Sequence, residues 1–399
     1  MMRKFFFPYI APLFLSVLIF ACQSGTENAS ANPAFGDDTK VGVKSALVYE
    51  DTTLPENKAI IHRLDSFYRT QVRAGFNGSV LIGRKGKVIY ERYFGLANRE
   101  AQIRLNPTSA SQLASVSKTF TAAAILYLHE KKYIDINQKV SEYIKDFPYE
   151  AITVKMLLNH RSGIPDYTKW VPRYRKDQRT PMTNSQVMRM FAKYKPALEF
   201  RPDTRFKYSN SNYAILSSVI EEVTEASFAD FMKAYIFEPL GMKHTFVYEP
   251  SKGLPAGSAI SYKYNWVREP DMFADGVTGD KGIYSTVEDM YRWDQSFYKK
   301  ILLSNETIEL AYGPCSFEKP GVKNYGLGWR MFCYPSGEKI IYHNGWWHGN
   351  NTVFYRFIQE NFTIIVLGNK YNNAIYRQAK VVNALVKNIP VGDTFESDE

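Results

Sequence analysis

Cysteine and histidine are scarce in this chain: three Cys and six His in 399 residues, in no spacing that reads as a zinc site. Long apolar runs are scarce as well. Only the segment from Phe5 to Ala21 is nearly continuous, so a polytopic membrane protein is excluded. With 24 Gly and 19 Pro, and no internal period, collagen-like, low-complexity and repeat architectures are excluded too. Acidic residues are outnumbered, 40 against 50 Lys and Arg, for a net charge of +10, two units of which come from Arg3 and Lys4 at the N-terminus. Basic residues mixed with aromatics occur only in short runs such as Arg173-Tyr174-Arg175-Lys176, so nucleic-acid binding has little support. Attraction to an anionic lipid surface fits the charge equally well. What the chain does have is 45% apolar and 15% aromatic residues, enough for a sizeable core.

Arg3-Lys4 followed by a short apolar stretch broken by Pro8 and Pro12 is marginal for a bilayer that needs about 20 residues, and reads instead as a secretory leader. It ends Ile19-Phe20-Ala21-Cys22, which resembles a bacterial lipobox. That resemblance implies a signal peptide over 1–21, lipidation of Cys22 and an exported, membrane-anchored protein on the periplasmic or cell-surface side. Residues 22–57, rich in Ser, Asn, Gly and acidic side chains, read as a flexible tether, 58–390 as the folded domain and 391–399 as a solvated acidic tail. An exported chain permits a disulfide between Cys315 and Cys333, worth about 3 kcal/mol if formed; two free buried thiols are the alternative.

Apolar spacing at Ile61, Leu64, Tyr68 and Val72 predicts an amphipathic helix stopped by Gly75. A strand hairpin follows over 78–94. Near the other end, 325–332, 339–343, 352–358 and 362–367 read as successive strands, then a helix over 373–387. Short turns between consecutive strands require antiparallel pairing. Residues 105–310 read as mostly helical, including 119–131 and 212–224. The expected fold class is α+β: an antiparallel sheet flanked by the N- and C-terminal helices, with an inserted, mostly helical subdomain.

Leu113-Ala114-Ser115-Val116-Ser117-Lys118-Thr119-Phe120 opens the first of those helices. A Ser at a helix start and a Lys three residues on share a face, so an amine can reach the hydroxyl. The pattern alone is weak, since Ser296, Ser316 and Ser336 also have a Lys three residues on and a helix cap explains most such serines. Two further segments add weight. Tyr208-Ser209-Asn210 offers a phenol and an amide before a helix, and His343-Asn344-Gly345-Trp346-Trp347 an imidazole and a glycine on a strand.

The order Ser-x-x-Lys, Tyr-x-Asn, His-x-Gly, with leading residues 93 and 135 positions apart, resembles the serine hydrolases related to penicillin-binding proteins and class C β-lactamases. Segments such as Leu157 to Pro165, Gly279 to Thr286 and Tyr325 to Trp329 resemble that family's framework, and the likeness runs from about Lys58 to Lys387. It implies Ser115 as nucleophile and a desolvated Lys118 as proton acceptor. Tyr208 would carry the proton to the leaving group, Asn210 would hold Lys118 or a substrate amide, and the N–H groups of Ser115 and Trp346 would meet the oxyanion. Which of Lys118 and Tyr208 is the base stays open. No metal or cofactor is implied. His343 stands where these β-lactamases usually carry Lys; a neutral imidazole there would hydrogen-bond Tyr208 and attract a carboxylate weakly. Trp346 and Trp347 would narrow the site toward an apolar or flat acyl group. His160 reads as a structural turn residue.

The expected function is therefore a membrane-tethered serine hydrolase that forms an acyl-enzyme on an ester or amide of a small molecule or peptide. A D-Ala-D-Ala carboxypeptidase or β-lactamase is the alternative, and a non-catalytic muropeptide sensor a second one. Oligomeric state is open.

Overall fold

A computed structural model describes residues 46–395; the leader, Cys22 and most of the tether lie outside those residues. Seven strands form the main sheet: β1 (Gly78–Arg84), β2 (Lys87–Phe94), β3 (Lys323–Tyr325), β4 (Arg330–Cys333), β5 (Lys339–Trp347), β6 (Asn350–Phe357) and β7 (Phe362–Gly368). Their order is β2-β1-β7-β6-β5-β4-β3, antiparallel throughout, so the two N-terminal strands add to the edge of the C-terminal meander.

Both faces of this sheet are covered, which is why β6 and β7 are buried along their whole length. Side chains two apart share a face. Val80, Ile82, Val353, Tyr355, Ile364 and Val366 point to one side, against Leu64 and Tyr68 of α1 (Pro55–Arg73) and Val382 of the C-terminal helix (Ile375–Lys387). Leu81, Phe354, Ile365 and Leu367 point to the other side, into a larger core with Phe120 and Trp293. That core is built on α2 (Ser117–Glu130), buried almost all round, with α3 (Asn210–Thr224) and α4 (Val287–Tyr298). We number the C-terminal helix α5.

The structure departs from the sequence expectations at several points. Residues 325–332 are not one strand: β3 and β4 form a hairpin through Gly326-Leu-Gly328-Trp329, where Gly328 has φ 91° and a Cβ there would lie 2.2 Å from Ala122 Cβ. The stretch 105–310 also holds a small sheet of Ser111–Gln112, Ile283–Ser285 and Phe246–Val247. Order begins before residue 58: Tyr49 bridges to Val88, and Asn57, fully buried, donates to the Asp51 carbonyl. The first part of the acidic tail is docked, because Phe395 is buried against Phe332, Tyr355 and Phe357. Cys315 and Cys333 are free thiols, half-buried, and burial pushes both thiols above their ordinary range. Among the described residues no helix is long and apolar enough to cross a membrane.

Candidate active site

Three chain segments far apart in sequence meet at the start of α2. The first is the turn Ala114–Val116, a short 3-10 helix that feeds directly into α2. Ala114 has φ 49°, a conformation costing about 1–3 kcal/mol for a residue with a Cβ. It turns the chain sharply just before Ser115, which is half-buried while its neighbours are buried.

One turn on, Lys118 is fully buried, as expected. Its Nζ donates to Ser115 Oγ at 3.2 Å, to Asn210 Oδ1 at 2.8 Å and to the Asp280 carbonyl at 2.7 Å. An ammonium has three protons, and here all three have acceptors. As a neutral amine it would need one neighbour to donate in return. The Asn210 and Asp280 oxygens can only accept, so Ser115 alone can supply that proton, and the arrangement directs the amine lone pair onto the serine hydroxyl.

The second segment is the start of α3. Asn210 is the first helical residue rather than lying before the helix. Its amide is oriented from both ends: Oδ1 faces Lys118, and Nδ2 donates to Asp166 Oδ2 at 3.0 Å. Tyr208, two residues earlier, places its ring centroid 5.0 Å from Lys118 Nζ, with the Arg330 guanidinium 5.4 Å from the same ring. His160 packs 4.3 Å from Tyr208, centroid to centroid. It is fully buried, and its Nδ1 accepts from the Ser209 N–H and Asn212 Nδ2, so it holds the turn leading into α3, as read from the sequence.

The third segment is β5. Gly345 pairs with Thr352 of β6, whose hydroxyl donates to the Leu113 carbonyl at 2.8 Å. A Cβ on Gly345 would lie 2.1 Å from Thr352 Oγ1 and 2.4 Å from the Leu113 carbonyl. Only glycine lets the strand come this close to the residues before the serine, and Trp346 follows immediately. His343 differs from expectation. Its Nδ1 bonds the Asn344 carbonyl at 2.7 Å and its Nε2 the Tyr325 hydroxyl at 3.3 Å, leaving Tyr208 6.3 Å away between ring centroids. A carbonyl can only accept, so the proton sits on Nδ1 and Nε2 accepts from Tyr325. Burial, then the positive charges of Arg330 and Lys118, hold the imidazole well below its ordinary range. It is neutral.

A cleft of about 680 Å³ opens beside these residues, lined by Asn210, Asp166, Trp346, Trp347, Tyr264 and Tyr371 among others. Trp346 is 62% exposed, whereas Trp347 is pinned: its Nε1 donates to Asp275 Oδ1 at 2.6 Å, and Lys281 Nζ lies 4.6 Å from its ring. Sequence reasoning missed Asp166, Asp280, Asp275, Arg330 and Tyr325. Asp280 and Tyr325 sat inside segments noted only as framework, and a Pro-Asp pair before Tyr167 was a helix-cap signal at Asp166 that spoke of a turn, not of a site. Among the described residues no cluster of His, Cys, Asp and Glu could hold a metal ion.

A buried lysine aimed at a half-exposed serine, beside a phenol and an aromatic cleft, is the equipment of a serine acyl-transfer hydrolase. The chain belongs to the Beta-lactamase family, whose model matches residues 64–386. It is 33% identical over 320 residues to Penicillin-binding protein 4* of Bacillus subtilis (strain 168), covering 76% of this chain and 70% of that protein. It is 27% identical over 334 residues to the D-aminopeptidase of Brucella canis, covering 83% of this chain and 62% of that one. The fold is that of a penicillin-binding protein from Bacillus halodurans, with TM-score 0.70 at 22% identity over 80% of this chain and 98% of the other.

Proposed function

We propose that the protein hydrolyses an ester or amide through an acyl-enzyme on Ser115. In this reading Lys118, as the free amine, takes the serine proton, and Tyr208 passes a proton to the departing group. The Ser115 and Trp346 N–H groups receive the oxyanion. Water then attacks the ester, releasing the acid and restoring the serine. The observation that carries the reading is the three-way hold on Lys118, which leaves Ser115 as its one exchangeable partner. The aromatic walls of the cleft favour a flat or apolar acyl group, and a neutral His343 removes a fixed cation that would recruit a β-lactam carboxylate. The D-aminopeptidase relative favours, as a second reading, the amide of a D-amino acid or peptide as substrate. We further propose that the domain is exported and tethered by a lipid on Cys22.

A fluorophosphonate probe tests the core of this. The wild-type protein should label stoichiometrically, and Ser115→Ala should lose labelling and at least about 10³-fold in turnover. Equal labelling of both proteins would remove Ser115 as nucleophile.

A further inference from the structure

Gly279 and Gly282, with φ of 90° and 91°, bracket two residues whose charges lie in the interior: Asp280 is 1% and Lys281 3% exposed. A Cβ on Gly279 would lie 2.3 Å from the Tyr213 carbonyl, so this segment packs directly on α3. The Asp280 carbonyl is one of the three acceptors on Lys118, which brings both side-chain charges near that amine. Burying an ammonium and a carboxylate is costly unless each is paired. Here they are. Lys281 Nζ donates to Asp280 Oδ2 at 3.1 Å and to the Tyr167 hydroxyl, and lies 4.6 Å from the Trp347 ring. The Tyr167 hydroxyl donates in turn to Asp280 Oδ2 at 3.1 Å.

Lys118 has to be a free amine to take the serine proton, so the charge around it matters. A carboxylate alone beside it would hold it as an ammonium; one already matched by Lys281 does so far less. Burial pushes the Asp280 carboxyl above its ordinary range, and the positive charges of Lys281 and then Lys118 oppose that rise. The remaining neighbours from other elements are mostly neutral. The Tyr208 and Tyr213 rings lie 5.0 and 5.7 Å from Lys118 Nζ, and burial holds the Tyr213 phenol well above its ordinary range. His160 and His343 are held well below theirs, by burial first and then by nearby positive charge. Two charges stand one residue further out: Asp166, which accepts from Asn210 and Thr168, and Arg330, over the Tyr208 ring.

On the serine hydrolase reading above, we propose that Lys281 is a positioning residue for the reaction, which neutralises Asp280 and so leaves Lys118 free to give up its proton. With Lys281 present, the trio of Lys118, Asp280 and Lys281 is neutral when Lys118 is the free amine. Without Lys281, neutrality takes one more proton, and Lys118 is the basic group left to hold it.

The pH profile of kcat/KM for phenyl butyrate reads this, because a purely structural pair would lower the rate without moving the acid limb. Lys281→Met should move that limb to higher pH by about one to two units and lower kcat/KM at pH 7 about 10- to 100-fold. Asp280→Asn, which keeps the carbonyl and the shape of the side chain, should move it to lower pH. Asp280→Asn/Lys281→Met should return the limb to its wild-type position whatever rate remains. A limb that stays put in both single variants, or that the double variant does not restore, overturns the proposal and leaves the hydrolase reading intact. Should the single variants unfold, the double variant, with no unpaired charge in the interior, decides: a wild-type limb supports the proposal and a displaced one overturns it. If the wild-type protein cleaves no ester and takes up no fluorophosphonate, the hydrolase reading fails. The charge balance is then read from the Lys118 Cε resonance of protein labelled with 13C-lysine, assigned with Lys118→Arg. That resonance should titrate at higher pH in Lys281→Met than in the wild type, and identical titrations overturn the proposal.

Discussion

Two histidines of the site, His160 and His343, are buried and have no carboxylate partner among the described residues, and burial holds both well below their ordinary range, with Lys118 and Arg330 adding like charge. The unfolded chain titrates them near pH 6.5. Between that value and the lower folded values the unfolded state binds more protons, so stability rises with pH across this window and is lost as pH falls through it. Each histidine contributes up to about 1.4 kcal/mol per pH unit there. Urea midpoints measured from about pH 7.5 down to about pH 5 should show the decline, and His343→Asn should make it shallower. An identical slope in the variant would mean that His343 does not titrate as a buried neutral base. The same neutrality bears on function, because an uncharged ring at this position adds no cation next to Lys118.

At the scale of elements, the site depends on how closely β5 approaches the turn before α2. Gly345→Ala places a methyl into the Leu113 carbonyl and the Thr352 hydroxyl, both held by their own hydrogen bond. The strand must move away, at about 1–3 kcal/mol, and a displacement of about 1 Å at the serine is enough to cost about 10²-fold in rate. Thermal melts with steady-state kinetics should show activity falling far more than stability. The sheet is tied to α4 by a different device. Arg356 on β6 and Asp294 on α4, each almost fully buried, are joined at 2.6 Å, with a second guanidinium bond to the Asp294 carbonyl and another to the Tyr312 hydroxyl. Asp294→Ala strands a guanidinium in the core and should destabilise by about 3–5 kcal/mol by urea denaturation. Asp294→Leu with Arg356→Met should recover most of that loss, because no charge is then left without its partner.

On the scale of the whole molecule, the net charge bears on the export proposed above. Without Arg3 and Lys4 a net charge of +8 remains, which suits a domain held near an anionic surface by the lipid-bearing tether proposed above. Val48 and Tyr49 already pair with Val88 of β2, and fewer than thirty residues lie between Cys22 and Val48 in the sequence. Expression in a bacterial host with labelled palmitate should give a labelled, membrane-associated protein. Cys22→Ala should abolish the label and leave the hydrolase domain active; labelling that survives would place the lipid elsewhere.

The local patterns were legible without coordinates because each is a short-range rule. Two strand-like runs around the turn Arg84-Lys85-Gly86-Lys87 mark the hairpin of β1 and β2, helical spacing marks α1, and Ser115 and Lys118 lie one turn apart where the 3-10 turn runs into α2. Tyr208 and Asn210 were legible through their resemblance to a family, not through any local force. Tertiary packing alone decided the rest, because each remaining feature joins groups distant in the chain. His343 turns to Tyr325 because its own strand offers Nδ1 a carbonyl, Cys315 and Cys333 are free thiols whose backbone N–H groups bond the carbonyls of Tyr325 and Val322, at either end of β3, and Phe395 packs back against the aromatic surface of the sheet.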